Sequence, residues 1–528
     1  MYLPNDVWRQ VIDFLSPSVI QNLFSLNAVF FNVAMDQRYQ QISFSYLSPK
    51  MIWTLARLKD PAVAKRVRIL HLYPHFVKDA LDTMDSASSQ SLLTKFANEL
   101  AGLVRDQKRL MFSKHHKSRL PLKFKTCRDL MQVMMDILTQ LPNLTDYHLL
   151  WSGLDSAGSY PAHVISAPFK LNLRCIRLEI SLEKVPHMLS YYTHPLPPVQ
   201  ELDLFIRVDH RLGPDHYDIT LLMLARMINS LHSSLRKLTI QLWEPFDLSP
   251  LFASITHLPL LDKLSLSIPM SFPNLGDPAG LISFFKLHSD TLRSLSIRAS
   301  ELGGRSLIPN EFQFGEWMNA TFSNVHLSRL TSLEISLYLV PFDAALLCVR
   351  RFASTLTSLV FTGLHLTFQD VEQLAAAFSD SSSSLTSSDD DNDDSSGRGS
   401  KLQYARIGPL TLSPQLVDKL ASKFPDIKKL ELLVKSVVPY EGDIPFMFCG
   451  GGSHTSHAGI RSSTERERDQ QDEGQFARFI EEMHQRCYPE WKLAHLDVSS
   501  HAYPRVINDE VRCRNVFLRC VPSLRTFI

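Results

Sequence analysis

A six-residue pattern, Leu-x-x-Leu-x-Leu with conservative variants, constrains this chain more than any other feature. Copies begin at Leu144, Leu173, Val199, Leu235, Leu261, Leu292, Leu330, Leu356, Leu402, Ile427, Leu493 and, truncated, Leu524. Where they are most regular, neighbouring starts lie 26 (235 to 261), 31 (261 to 292) and 26 (330 to 356) residues apart. The alternation inside each copy is that of a short strand with one apolar face. Helical stripes fill the intervals. Leu221, Leu224, Ala225, Ile228 and Leu231 form one, Leu416, Leu420 and Phe424 a second, and Phe476, Phe479, Ile480, Met483 and Cys487 a third. Ser413 before Pro414 predicts an N-cap, and Thr367 with Asp370 predicts a capping box.

Strand and helix alternating at about 25–30 residues resembles a leucine-rich repeat solenoid, in which stacking buries an apolar face that no repeat buries alone. The expected fold class is therefore α/β, with irregular repeats over residues 141–528. A compact α/β domain with a parallel sheet also alternates strand and helix. Repetition of one motif, and the lack of a glycine-rich strand-to-helix turn, favour the repeats over it. In a repeat sheet the positions beside the second Leu point outward. They give one row of Glu201, Lys237, Lys263, Ser294, Ser332, Ser358, Lys429 and His495, and a next row of Asp203, Thr239, Ser265, Ser296, Glu334, Val360, Glu431 and Asp497. Asp203, Lys237, Thr239, Lys263, Ser265, Ser296, Glu334 and Glu431 are the candidate contacts to a target protein. A solvated sheet face without a ligand has the same composition.

The N-terminal segment reads differently. Leu3-Pro4 opens it, and Val7, Val11 and Leu15 fall at helical intervals. Ser16-Pro17 ends that helix and starts another. Leu26, Phe30 and Phe31, then Ala34, continue the spacing. Three short helices cannot bury so many apolar positions among themselves, so the surplus faces the rest of the chain or a partner.

Leu3-Pro4, Asp6, Val11, Leu15, the Ser16-Pro17 break, Leu26 and Phe30-Phe31 resemble an F-box, the three-helix module that binds the Skp-family adaptor of a cullin ubiquitin ligase. The departures from that pattern are Asp6 in place of Glu, Phe30 in place of Trp, and Asn27-Ala28. A helix leading into Val67-Arg68-x-Leu70-x-Leu72 is also similar to fungal F-box proteins. The resemblance implies an adaptor-binding set of Leu3, Pro4, Val7, Val11, Leu15, Pro17, Leu26, Phe30 and Phe31. It implies an F-box over 1–47, a helical linker with the first strand over 48–140, and a non-catalytic substrate receptor as the whole. The other reading is a helical cap on a leucine-rich repeat scaffold with no link to ubiquitin.

Composition excludes several alternatives. Lys+Arg 55 against Asp+Glu 54 gives a net charge of +1, which offers nucleic acid or an anionic membrane no overall attraction. The seven cysteines are scattered and form no Cys-x-x-Cys pair, as expected of reduced thiols in the cytoplasm or nucleus. The sequence opens with no secretory signal. No phosphate-binding glycine loop, zinc spacing or Gly-x-Ser-x-Gly is present, so no cofactor, metal or enzymatic activity is expected. Cys449, His454 and His457 fall short of a four-ligand site. Two low-complexity stretches, about 379–400 and 449–474, read as disordered insertions. The pattern from Ser86 to Lys125 is helical but ragged.

Overall fold

The computed structural model describes residues 3–46, 48–73, 127–151, 166–190, 197–208, 217–269, 276–299, 311–336, 340–380, 401–442, 463–500 and 510–528. The chain forms two compact units. One is Met1–Trp243 with Ser254–Leu260, and the other is Glu244–Ala253 with Leu261–Ile528.

The first unit begins with helices α1 (Asn5–Asp13), α2 (Pro17–Asn22) and α3 (Ala28–Tyr39). Strands β1 (Gln41–Phe44), β2 (Ile69–Leu72), β3 (Asp146–Trp151), β4 (Cys175–Ser181), β5 (Glu201–Arg207) and β6 (Lys237–Leu242) follow. Each pairs in parallel with the next. The second unit repeats this order with β7 (Lys263–Ile268), β8 (Ser294–Ala299), β9 (Ser332–Ser336), β10 (Ser358–Leu366), β11 (Tyr404–Leu412), β12 (Lys429–Val437), β13 (His495–Ser500) and β14 (Thr526–Phe527). Strictly sequential pairing is the order of a repeat stack; a doubly wound sheet reverses its order at a switch point. The repeat expectation holds on this geometry.

The motif explains the geometry copy by copy. Each strand from β3 to β14 begins two residues after a motif start, from Leu144 and Asp146 through to Leu524 and Thr526. The first Leu is thus a plug just ahead of the strand. Leu235, Leu261, Leu292, Leu330 and Leu356 are completely buried there. The fourth and sixth positions, such as Leu295 with Ile297 and Leu333 with Ile335, carry the strand's inward face. A buried side chain of this size contributes about 1.5–3 kcal/mol, so each repeat brings its own share of the core. Backbone bonding repeats as well. The carbonyl at the second motif position accepts from two successive N–H groups of the next copy, as Thr331 and Ser332 do toward Arg293, and Gln403 and Tyr404 toward Thr357.

Between strands, the stripe Leu221, Leu224, Ala225, Ile228 and Leu231 is buried on Asp218–Ser230. Ser413 caps Pro414–Lys423 through an Oγ that accepts from the Leu416 N–H at 3.1 Å. Thr367 and Asp370 close a reciprocal box: the Thr367 N–H donates to the Asp370 carboxylate at 2.8 Å, and the Asp370 N–H to Thr367 Oγ1 at 3.2 Å.

Some expectations are corrected. The N-terminal module ends at Tyr39, because 41–44 form β1 of the repeat sheet; Tyr39, Ile42 and Phe44 stand where the motif has leucines. The strand at 65–72 is therefore the second, not the first. The helix expected to lead into Val67 is two, α4 (Pro49–Leu58) and α5 (Pro61–Ala64), since Asp60-Pro61 breaks it and Asp60 caps the second. Residues 463–474, expected to be disordered, open the helix Ser463–His484; their Glu, Arg and Gln are strong helix formers. Cys487 lies beyond that helix and is exposed, so it does not continue the stripe of Phe476, Phe479, Ile480 and Met483. The ragged helix over 86–125, the stretch 381–400 and the Cys449, His454 and His457 group lie outside the described residues.

Candidate interaction surfaces

Two surfaces stand out, and the first is the N-terminal module. Its own core is small: Ile12, Ile20, Phe30 and Ala34, with Trp8, Leu15, Leu23, Val29 and Val33 packed around them. Trp8 meets Phe30 edge to face at 5.8 Å. On α1 the inward stripe is therefore Trp8–Ile12–Leu15. A second apolar stripe, Leu3–Val7–Val11–Phe14, lies about 100° round the helix and faces solvent. Phe14 is 90% exposed. Val19, Phe24, Leu26 and Phe31 extend the exposed apolar surface over α2, α3 and their turn.

This arrangement sorts the nine residues of the adaptor set. Leu3, Pro4, Val7, Val11, Pro17, Leu26 and Phe31 are exposed. Leu15 is half-buried against the core, and Phe30, only 1% exposed, is the core's largest member. Phe30 is thus not a surface anchor. Periodicity could not separate the two stripes, because each obeys the same helical spacing. Phe14, Val19 and Phe24 were missed, although Phe14 continues the Val7–Val11 spacing. Asn27 has a local explanation: its Oδ1 accepts from the Val29 and Phe30 N–H groups at 2.9 and 3.0 Å, capping α3.

The second surface is the outward face of the strands, where register brings the anticipated rows together. In the first unit Arg177, Asp203 and Thr239 are cross-strand partners, as are Cys175, Glu201 and Lys237. In the second, Lys263–Ser294–Ser332–Ser358 and Ser265–Ser296–Glu334–Val360 each run across four strands. Glu431 pairs with Asp497 across β12 and β13. Asp146, His148, Arg177, Tyr404 and Arg406 complete the rows. The same offset applied to the copies at Leu144, Leu173 and Leu402 would have found them.

Side chains on this face are largely engaged with one another. In the first unit a chain of ion pairs links Asp146, Arg174, Glu201, Lys237, Asp203 and Arg177. Asp203 is only 3% exposed; its Oδ2 accepts from Arg177 Nε at 3.2 Å and Nη2 at 3.0 Å. Farther along the strands Arg207 bonds Glu179 at 2.8 Å and lies over the Trp243 ring at 3.9 Å. Asp203 and Lys237 therefore serve first as cross-strand ties. The Gln41 amide donates to His71 Nε2 at 2.9 Å, and the Nδ1 atoms of His71 and His148 are 3.2 Å apart. Such a contact needs one bare ring nitrogen. Burial, the facing His71 and the Arg177 guanidinium lower the His148 pKa to about 4; burial and Arg177 also lower that of His71. Burial, with Asp203, Asp146 and Glu201 nearby, raises the Cys175 thiol to about 12, which keeps it protonated and unreactive.

In the second unit Glu334 accepts from Ser296 Oγ at 2.8 Å and pairs with Arg298 at 2.8 Å. Glu431 is held by Lys429 at 2.7 Å and Arg406 at 3.6 Å. Asp497 beside it has a raised pKa, from burial and then from the Glu431 charge. Lys263 and Ser265 stay at the surface of β7, exposed and half-buried. Among the described residues there is no cluster of three or more metal-ligating side chains. No described helix is long and apolar enough to cross a membrane.

No protein-family model matches the chain, and no curated protein matches it. Among solved structures, the leucine-rich repeat-containing protein LegL7 from Legionella pneumophila is similar over 57% of this chain and 87% of that one, at 13% identity and a TM-score of 0.33. A TLR13–ssRNA13 complex is similar over 69% of this chain and 43% of that one, at 12% identity and a TM-score of 0.28. The motif copies and the sequentially paired parallel strands by themselves define a repeat stack of leucine-rich repeat architecture.

Proposed function

We propose that the chain is a substrate receptor of a Skp–cullin–F-box ubiquitin ligase. The N-terminal module docks on the Skp-family adaptor, and through it a cullin, and the repeats hold a target protein. One observation carries the reading: α1 and its neighbours spend Trp8, Ile12 and Phe30 on their own core and leave a second stripe, Leu3–Val7–Val11–Phe14, in solvent. A cap would turn its surplus apolar residues toward the repeat it covers. These point away from the module's core, as helix-in-groove association requires.

The receptor performs no chemistry of its own. It raises the effective concentration of target lysines near a thioester made elsewhere. Cytoplasm or nucleus is the proposed compartment, and the target remains a protein of unassigned identity met by the outward strand face. The test is co-expression with a Skp-family adaptor followed by size exclusion, with residues 1–38 deleted as the control so that β1 stays in place. Co-migration that depends on 1–38 supports the reading. A full chain that runs alone and soluble overturns it in favour of a leucine-rich repeat scaffold.

A further inference from the structure

The passage from module to repeats is abrupt. α3 ends at Tyr39 and β1 begins at Gln41, so Gln40 alone joins them. Its N–H donates to the Asp36 carbonyl, and its carbonyl accepts from the Arg68 and Ile69 N–H groups. A one-residue joint fixes the path of the chain but leaves the tilt of a short helix bundle to whatever braces its other side.

Arg66 is placed to be that brace. It lies just after α5, and its guanidinium reaches across to α3. Nη1 donates to the Asn32 carbonyl at 3.1 Å and to Asp36 Oδ1 at 2.5 Å, and Nη2 donates to Asn32 Oδ1 at 2.8 Å. Nε donates back to the Ala62 carbonyl at 3.2 Å. The side chain is 14% exposed. A rigid planar fork with its donors spread over two elements sets an orientation as well as a contact, which the point charge of a lysine does not.

We propose that Arg66 is a positioning residue that locks the N-terminal module at one orientation on the first repeat. Resting on the receptor reading, this means the adaptor surface is held at a set distance from the outward strand face, so that a bound target is presented in one place.

The test uses the full chain without adaptor, so its outcome is independent of adaptor binding. Nitroxides on a keto amino acid introduced at the exposed Gln10 and Gln140 report the module-to-repeat distance by double electron–electron resonance. The chain with Arg66 intact is expected to give one narrow distribution, and Arg66→Ala a broadened one with a shifted mean. Arg66→Lys should fall between. Should Arg66→Ala fail to fold, the pair Asn32→Ala with Asp36→Asn removes the acceptors on the module side instead; Asp36 is half in solvent, so folding tolerates it. An unchanged, narrow distribution in the folded variant overturns the proposal.

Discussion

Phe14 and Phe30 make opposite predictions, although both are aromatic residues of one small module. Phe30 is 1% exposed and touches Trp8 within a core of four buried residues. Truncation to Ala costs about 3–5 kcal/mol in lost burial and cavity. That is large against the roughly 5–15 kcal/mol that holds a whole domain, and α1–α3 should open locally. Phe14 is 90% exposed. Its truncation should change folding by no more than about 0.5 kcal/mol. If a partner buries the ring, about 1.5–3 kcal/mol of affinity goes with it, which is roughly ten- to a hundredfold in Kd. Amide hydrogen exchange over residues 5–38 reads the first effect, and calorimetric titration with the adaptor reads the second. Phe30→Ala should lose protection, whereas Phe14→Ala should keep it and lose affinity. Unweakened adaptor binding by a folded Phe14→Ala chain would refute the surface drawn here, and lost protection would refute the division between core and surface.

Arg177→Ala leaves the buried Asp203 carboxylate with Lys237, 3.6 Å away, as its one ion-pair partner among the described residues; loss of hydrogen bonds to a buried charge costs about 1.5–3 kcal/mol, to be measured as a lower urea midpoint. Lowering the pH should destabilise the first unit through His148. Its folded pKa, about 4, lies below the unfolded value, so the unfolded chain takes up the proton first. Stability is retained above about pH 6.5 and lost as the pH falls toward 4. His148→Gln should flatten that dependence, which thermal melts across the range will check. Ser413→Ala removes the cap on Leu416 and leaves Glu441 without its hydroxyl donor. The expected loss is about 1 kcal/mol, with faster exchange over 414–423.

What the sequence determined by itself was the repeat. A short strand with a plug and an inward pair is a local pattern, and twelve copies place twelve strands to the residue because side-chain alternation has a period of two. Outward rows followed from the same alternation. Caps such as Ser413 and Thr367 were legible too, since both partners lie within four residues. β1 escaped because Tyr39, Ile42 and Phe44 serve as the leucines there.

The tertiary structure decided everything that depends on which neighbour a side chain meets. Two apolar stripes on α1 have equal helical spacing, and only the packing of Trp8 against Phe30 shows which turns inward. Asp203 reads as an open contact in sequence, but Arg177 and Lys237, 26 and 34 residues away on adjoining strands, claim it. Nothing in the sequence singles out Arg66, and its bonds to Asn32 emerge only when α3 comes within reach. Periodicity fixes the direction of a side chain relative to its own element; stacking alone fixes what lies in that direction.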